Sequence, residues 1–178
     1  MITGLDAGTY VCEEISAPHG YVMDTAPQTA YISGKEQDCI TIIFTNSKYG
    51  SLLVKKVDSI TKEPLSDIQF FITTSDGAVV GNGNGYFTTD SAGSILVSDI
   101  MPGTTLVVKE TRTKPGYILD DVPKTVKIES NETKTLEFRN QPTGSLLIRK
   151  VCSLNPSVTL ANAEFKKLYS QRQKIVVK

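Results

Sequence analysis

The chain has 178 residues, 39% of them hydrophobic and 21% charged, which are values of an ordinary globular chain and exclude wholesale disorder. Lysine plus arginine equals aspartate plus glutamate at 19 each, so nothing points to nucleic acid or an anionic membrane as a partner. One histidine, His19, and no tryptophan exclude a catalytic or metal site built on several histidines.

The first residues lack a basic stretch followed by an apolar run, and no segment is apolar for long enough to span a membrane. An export signal would therefore lie outside this stretch. Residues 8–21, GTYVCEEISAPHGY, run through an apolar stretch to a glutamate and then to Gly-Tyr. After the short joint Ser47-Lys48-Tyr49, residues 51–57 form a β-branched and leucine-rich run that predicts a strand. Turns follow at Ser75-Asp76-Gly77, Asn82-Gly83, Asn84-Gly85, Met101-Pro102-Gly103 and Lys114-Pro115-Gly116. Residues 125–128 and 135–138 alternate in polarity, as half-buried strands do. No long stretch carries the helical period. Short strands with frequent turns predict an all-β, Ig-like or transthyretin-like antiparallel sandwich of Greek-key type.

The chain also repeats itself. GTTLVVKETRTKPGY (103–117) matches residues 8–21, with Glu14 on Glu110 at an offset of 110 − 14 = 96; Pro27 and Pro123 keep that offset. LEFRNQPTGSLLIRKV (136–151) matches IIFTNSKYGSLLVKKV (42–57), with Asn46 on Asn140 at 140 − 46 = 94 and Lys56 on Lys150 likewise. The difference of two falls in the loop around residues 33–36, where insertions are tolerated. Residues 1–46 read as the C-terminal half of one module, 50–140 as a complete module and 144–178 as the N-terminal part of a third. The joints at 47–49 and 141–143 are short, which suits a semi-rigid rod. In the last piece Ser170-Gln171-Arg172-Gln173-Lys174 replaces the turn at residues 75–77, and fraying is expected there unless something pairs with residues 175–177.

Three polar residues of the central module share a strand face with apolar ones. Lys56 follows Leu52 and Val54, Glu110 follows Leu106 and Val108, and Asn140 follows Leu136 and Phe138, each two positions apart. If those faces point to the core, a lysine, an acid and an amide meet inside, each costly to bury alone. A register slip would instead turn Lys55 inward, leave Glu110 solvated and make Asn140 a strand cap.

The segments GSLLVKKVDSITKEPLSDIQFF, PGTTLVVKETRTKPGY and LEFRNQ resemble the SpaA-type, or Cna B-type, prealbumin-like domain of Gram-positive surface proteins. The resemblance covers the central module end to end and both flanking pieces in part. It implies a stalk or pilin module whose first-strand lysine and last-strand asparagine join in an intramolecular isopeptide bond. Carried over by position, Lys56 is the nucleophile, Asn140 the electrophile and Glu110 the catalytic acid. The chemistry needs a neutral lysine, which burial favours, and an acid kept protonated to polarise the asparagine carbonyl, with Phe138 and Phe70 as an apolar wall. The first piece holds the equivalents Glu14 and Asn46 without an upstream lysine, and the third holds the equivalent Lys150. A front piece of one copy can in principle dock with the back piece of another.

Other motifs carry less. Cys12, Cys39 and Cys152 have no C-x-x-C spacing; a Cys12–Cys39 pair needs its strands to meet, and small apolar strand residues are the simpler reading. Residues 81–85 are glycine-rich but lack the lysine and helix of a phosphate loop, so a hairpin tip is expected. Asp120, Asp121 and Asp24 make no calcium loop, and neither metal nor cofactor is expected. The function expected is a structural spacer of a cell-wall-anchored adhesin or pilus-like protein, with neighbouring modules of the same protein as partners. The alternative is an adhesin module that binds a host surface or matrix protein or a glycan. Against it, Tyr10, Tyr21, Tyr49, Tyr86, Tyr117 and Tyr169 are scattered, and Tyr21 and Tyr117 recur in the repeat. No catalytic set for turnover is visible, so the chain is not expected to be an enzyme beyond one self-crosslinking event.

Overall fold

Alternating polarity and frequent turns translate into strands along the whole chain. They are β1 (Gly8–Cys12), β2 (Gln28–Ile32), β3 (Gly50–Asp58), β4 (Gln69–Thr74), β5 (Tyr86–Thr88), β6 (Ser94–Ile100), β7 (Thr105–Arg112), β8 (Lys124–Lys127), β9 (Thr133–Asn140), β10 (Phe165–Leu168) and β11 (Lys174–Val177). The computed structural model describes all residues except 36–38, 82–83, 169–173 and 178, and no helix occurs among the described residues. The chain divides into two units, Met1–Thr143 and Gly144–Lys178.

Residues 50–140 fold into two facing sheets, ordered β6-β3-β9 and β5-β4-β7-β8. Leu52 and Val54 of β3, Phe138 of β9, Phe70 and Ile72 of β4, and Leu106 and Val108 of β7 are fully buried between them. Each such side chain contributes about 1.5–3 kcal/mol relative to exposure. In β3 the pattern is strict: Val54 and Lys56 point in while Lys55 is exposed. The register that turns Lys56 to the core is therefore the one adopted.

One feature departs from the all-antiparallel expectation. β3 and β9, the first and last strands of the module, run parallel, with Lys56 opposite Phe138 and Asp58 opposite Asn140. Parallel neighbours need a long crossover, and here the intervening strands of the module supply it. The other pairings are antiparallel.

In residues 1–46, β1 and β2 pair antiparallel, as β7 and β8 do in the central module. The close of each half is also alike. Val22 N donates to Ser47 O and Tyr49 N to Gly20 O; Ile118 N donates to Gln141 O and Thr143 N to Gly116 O. Both tyrosine loops thus pin the joint that follows their half, bridging Tyr21 to Lys48 and Tyr117 to Pro142. Residues 41–46, which correspond to β9, form no strand.

In the second unit, β10 pairs with β11, so Ile175 and Val176 lie opposite Lys167 and Lys166. A partner for residues 175–177 is thus present, whereas the altered turn at residues 170–173 lies outside the described residues. So do Asn82 and Gly83 of the expected hairpin tip and Glu36 of the insertion loop. All three cysteines are free: Cys12 is half-buried in β1, while Cys39 is exposed and, like Cys152, outside any strand. The strand reading therefore holds for Cys12 alone, because residues 39 and 152 sit in segments without a ladder partner.

Candidate functional site

The three polar residues of the central module meet between the sheets. Lys56 comes from β3, Glu110 from β7 in the opposite sheet and Asn140 from the end of β9, and all three are fully buried. Lys56 Nζ donates to Glu110 Oε2 at 2.7 Å and to Asn140 Oδ1 at 2.5 Å. Asn140 Nδ2 donates to Glu110 Oε1 at 2.6 Å, which closes a triangle of contacts. The carboxyl group bridges the two nitrogens, one on each oxygen.

Apolar surroundings set the electrostatics. Phe70 and Phe138 pack edge to face with centroids 4.9 Å apart, and Lys56 Nζ lies 6.0 and 5.9 Å from their centres. Burial pushes the Lys56 amine below the ordinary lysine value of 10.5, against the opposing pull of its hydrogen bond to Glu110. Removing one partner of such a pair strands the other without compensation, which typically costs about 3–5 kcal/mol.

The structure changes the expected part of Glu110. A contact with the asparagine carbonyl was expected, but Oε1 meets the amide nitrogen, and the carbonyl oxygen faces Lys56 Nζ. The strand geometry explains this: β7 sits across from β3 and β9, so its carboxyl reaches both nitrogens at once.

Three supporting residues lie outside the set read from the sequence, although one of them, Asp58, shares the buried face of Lys56 in β3. Thr113 Oγ1 accepts a second hydrogen bond from Asn140 Nδ2 at 2.8 Å, from a position just past β7. Gly93 adopts φ +66° and lies so close to β3 that an added Cβ would stand 2.5 Å from Lys56 O. Asp58, opposite Asn140, accepts from Ile60 N and Thr61 N through Oδ1 and from the Tyr117 hydroxyl through Oδ2 at 2.9 Å. Only the return of Tyr117 as Tyr21 in the repeat signalled a structural role. Thr113 has no counterpart signal, since Ala17 stands at its place in the repeat (113 − 96 = 17).

The partial set in residues 1–46 makes contacts of its own. Glu14 Oε1 accepts from Asn46 Nδ2 at 2.6 Å and its Oε2 from Asp24 N at 2.7 Å. Lys150 is exposed in the second unit. Among the described residues, no group of three or more His, Cys, Asp or Glu side chains is placed to hold a metal ion.

The SpaA family model, a prealbumin-like fold domain, matches residues 1–48 and 50–142. This chain belongs to the SpaA-type prealbumin-like fold family. Among solved structures, this SpaA-type chain is similar to the Bacillus anthracis TIE protein, at 26% identity and a TM-score of 0.55 over 97% of the chain. It spans about a third of that protein's length, 32%. It shares its fold with GBS52, the minor pilin of the Gram-positive pathogen Streptococcus agalactiae, at 22% identity and a TM-score of 0.50. That match covers 84% of this chain and 66% of the other. No curated protein matches the chain.

Proposed function

We propose that the chain is a structural spacer from a tandem array in a surface-exposed, cell-wall-anchored adhesin or pilus-like protein, and that its central module locks itself with a Lys56–Asn140 isopeptide bond. The observation that carries the reading is the buried triangle of Lys56, Glu110 and Asn140. A module built only for packing gains little from burying three polar groups, since apolar residues of like volume are often as stable.

The reaction balances without a cofactor. Neutral Lys56 Nζ attacks Asn140 Cγ; the Cγ–Nζ bond forms, the Cγ–Nδ2 bond breaks and ammonia leaves. Nζ already touches Oδ1, the atom bonded to Cγ of the same amide, so the nucleophile and its target carbon sit side by side. Glu110 takes the proton released by Nζ through Oε2 and returns one to Nδ2 through Oε1, the atoms it touches in the unreacted state. Fixed proximity replaces a high effective concentration. The event happens once per chain, so it is self-processing and not turnover.

The gain is mechanical and thermodynamic. Lys56 and Asn140 are 84 positions apart, and a cross-link of that span constrains the unfolded chain by about 4–5 kcal/mol on the entropy treatment used for disulfides. Because β3 and β9 are neighbours, a pull applied before residue 56 and after residue 140 passes through the bond and leaves the residues between them unloaded. The repeated closure of the tyrosine loops on short joints supports an array of such modules in a semi-rigid rod. GBS52, one of the proteins with a similar fold, is a minor pilin, which agrees with a surface role.

Proteolysis of the denatured chain followed by fragment-ion sequencing tests the reading. A branched peptide joining Lys56 to Asn140 is expected. Recovery of two linear peptides with an intact Asn140 would rule the bond out.

A further inference from the structure

A lysine outside the triangle spans the open edge of the sandwich beside it. β9 ends one sheet and β8 ends the other, and no ladder joins the two among the described residues. Lys124, the first residue of β8, bridges them: its Nζ donates to the backbone oxygen of Glu137 in β9 at 2.5 Å. Register places this side chain on the inner face. Val126 stands opposite Leu106 and Lys124 opposite Val108, and both residues of β7 are fully buried. Glu110, the next inward residue of β7, comes just past the end of that pairing. Lys124 is half-buried, with its stem along the core and its amine at the sheet edge.

The same amine meets the ring that stands beside the nucleophile. Lys124 Nζ lies 4.5 Å from the centre of Phe138, and Lys56 Nζ lies 5.9 Å from it. One fully buried ring is thus approached by two amines, one inside the core and one at its rim. The charged groups that bear on Lys56 among the described residues are Glu110 of β7, Asp120 of the loop before β8, and Lys124. Phe70 of β4 and Phe138 and Asn140 of β9 face it without charge. Asp58, further along β3, is engaged with Ile60 N, Thr61 N and the Tyr117 hydroxyl. Burial is the main influence that lowers the Lys56 amine; Glu110 and Asp120 oppose it, and Lys124 adds to it as a like charge. Glu137 also feels the Lys124 charge, but its carboxylate is paired with Arg139 Nε at 2.6 Å.

The repeat separates two roles of this residue. Gln28 holds the place of Lys124 (124 − 28 = 96), and Ile43 holds that of Glu137 (137 − 43 = 94). Gln28 Nε2 donates to Ile43 O at 2.8 Å, which is the same bond made by a neutral donor. The latch therefore needs a donor but no charge. In the central module the donor is an ammonium, set against the ring that also meets Lys56.

We propose that Lys124 is a positioning residue of the cross-linking site: it latches β8 to β9 over Phe138 and, by its positive charge, favours the neutral, nucleophilic form of Lys56. Its part in the reaction rests on the isopeptide reading of the central module. A protonated Lys56 puts a second positive charge against Phe138, and a neutral Lys56 does not, so the cost of the like pair falls on the unreactive form alone. Solvent reaches the half-buried Lys124 and screens its charge, so the effect is graded rather than absolute.

The test follows ammonia loss by mass against time in freshly refolded chain, across a range of pH, for wild type, Lys124→Gln and Lys124→Arg. Lys124→Gln reproduces the pair made by Gln28 and Ile43, so the latch is kept and only the charge is lost. It should react about threefold more slowly at neutral pH, the scale of a like charge partly screened by solvent. It should reach the wild-type rate at alkaline pH, where Lys56 is neutral in either chain. Lys124→Arg, which keeps both donor and charge, should follow wild type at every pH. A Lys124→Gln profile that superposes on wild type would overturn the proposal, and so would a uniform slowing at all pH, the mark of packing alone. In Asn140→Ala, which cannot react, an NMR titration of the Lys56 Cε resonance reads the charge effect directly. Adding Lys124→Gln there should move the titration to higher pH, and an unmoved titration would overturn the proposal whether or not the bond forms. A wild-type chain that loses no ammonia at any pH would instead remove the isopeptide reading, and with it the part of Lys124 in the reaction.

Discussion

Lys56 Nζ lies 2.5 Å from Asn140 Oδ1, although the two residues are 84 positions apart and occupy the first and last strands of the module. The parallel pairing of β3 with β9 produces this contact. Lys56 stands opposite Phe138, two positions short of Asn140, and a lysine side chain is long enough to make up that step. Glu110 then approaches from the opposite sheet and bridges both nitrogens. An amine, an amide and a carboxyl group are thus held together by three separate strands, and the sandwich itself is the positioning device.

Thr113→Val should separate the placement of the amide from the fold. Its hydroxyl accepts from Asn140 Nδ2 at 2.8 Å, as Glu110 Oε1 does at 2.6 Å. Loss of that bond costs about 0.5–1.5 kcal/mol of stability in the unreacted chain. A comparable loss of orientation slows ammonia release about tenfold, the kinetic equivalent of ~1.4 kcal/mol. Stopped samples of freshly refolded chain, followed by mass against time, give both rates.

The pH dependence follows from the buried lysine. Burial holds Lys56 below 10.5 in the folded chain, so the neutral amine is populated at lower pH than for an exposed lysine. The rate of bond formation should rise with pH and level off before 10.5 is reached. Stability has the same sign in Asn140→Ala, which cannot react. There the unfolded chain binds the Lys56 proton more tightly than the folded one, so stability rises with pH between the folded value and 10.5 and is flat above it. Urea unfolding of that variant across the alkaline range measures the slope.

Gly93→Ala should damage the site without touching any of its polar groups. The new Cβ would sit 2.5 Å from Lys56 O and 2.9 Å from Leu65 N, at φ +66°. Left-handed strain and the clash together should cost about 2–4 kcal/mol, with β3 displaced from β6. Thermal unfolding of the variant in a Lys56→Ala background isolates this loss from any effect on the cross-link.

The strand faces were legible because burial enforces a period of two: Lys56, Glu110 and Asn140 each follow two apolar residues of like parity, and each side chain is buried. The strand at 51–57 is β3 with one residue added at either end, and the alternating run at 135–138 is the interior of β9. The parallel pairing of β3 with β9 was not legible, since strand order across a sandwich leaves no mark on either strand alone. Thr113 and Gly93 act through single long-range approaches to Asn140 and Lys56, and such contacts have no period. The contact made by Glu110 depended on which face of the amide meets β7, a matter of three-dimensional placement rather than pattern.

The intact mass of the denatured chain, compared with that of Lys56→Ala, tests the central claim most directly. A wild-type mass short of its calculated value by one ammonia, with the variant at full mass, is the expected result. It would establish the bond and Lys56 as its donor. A wild-type chain at full mass, folded and held at neutral pH, would contradict it and leave the triangle of Lys56, Glu110 and Asn140 as an unreacted buried hydrogen-bond network.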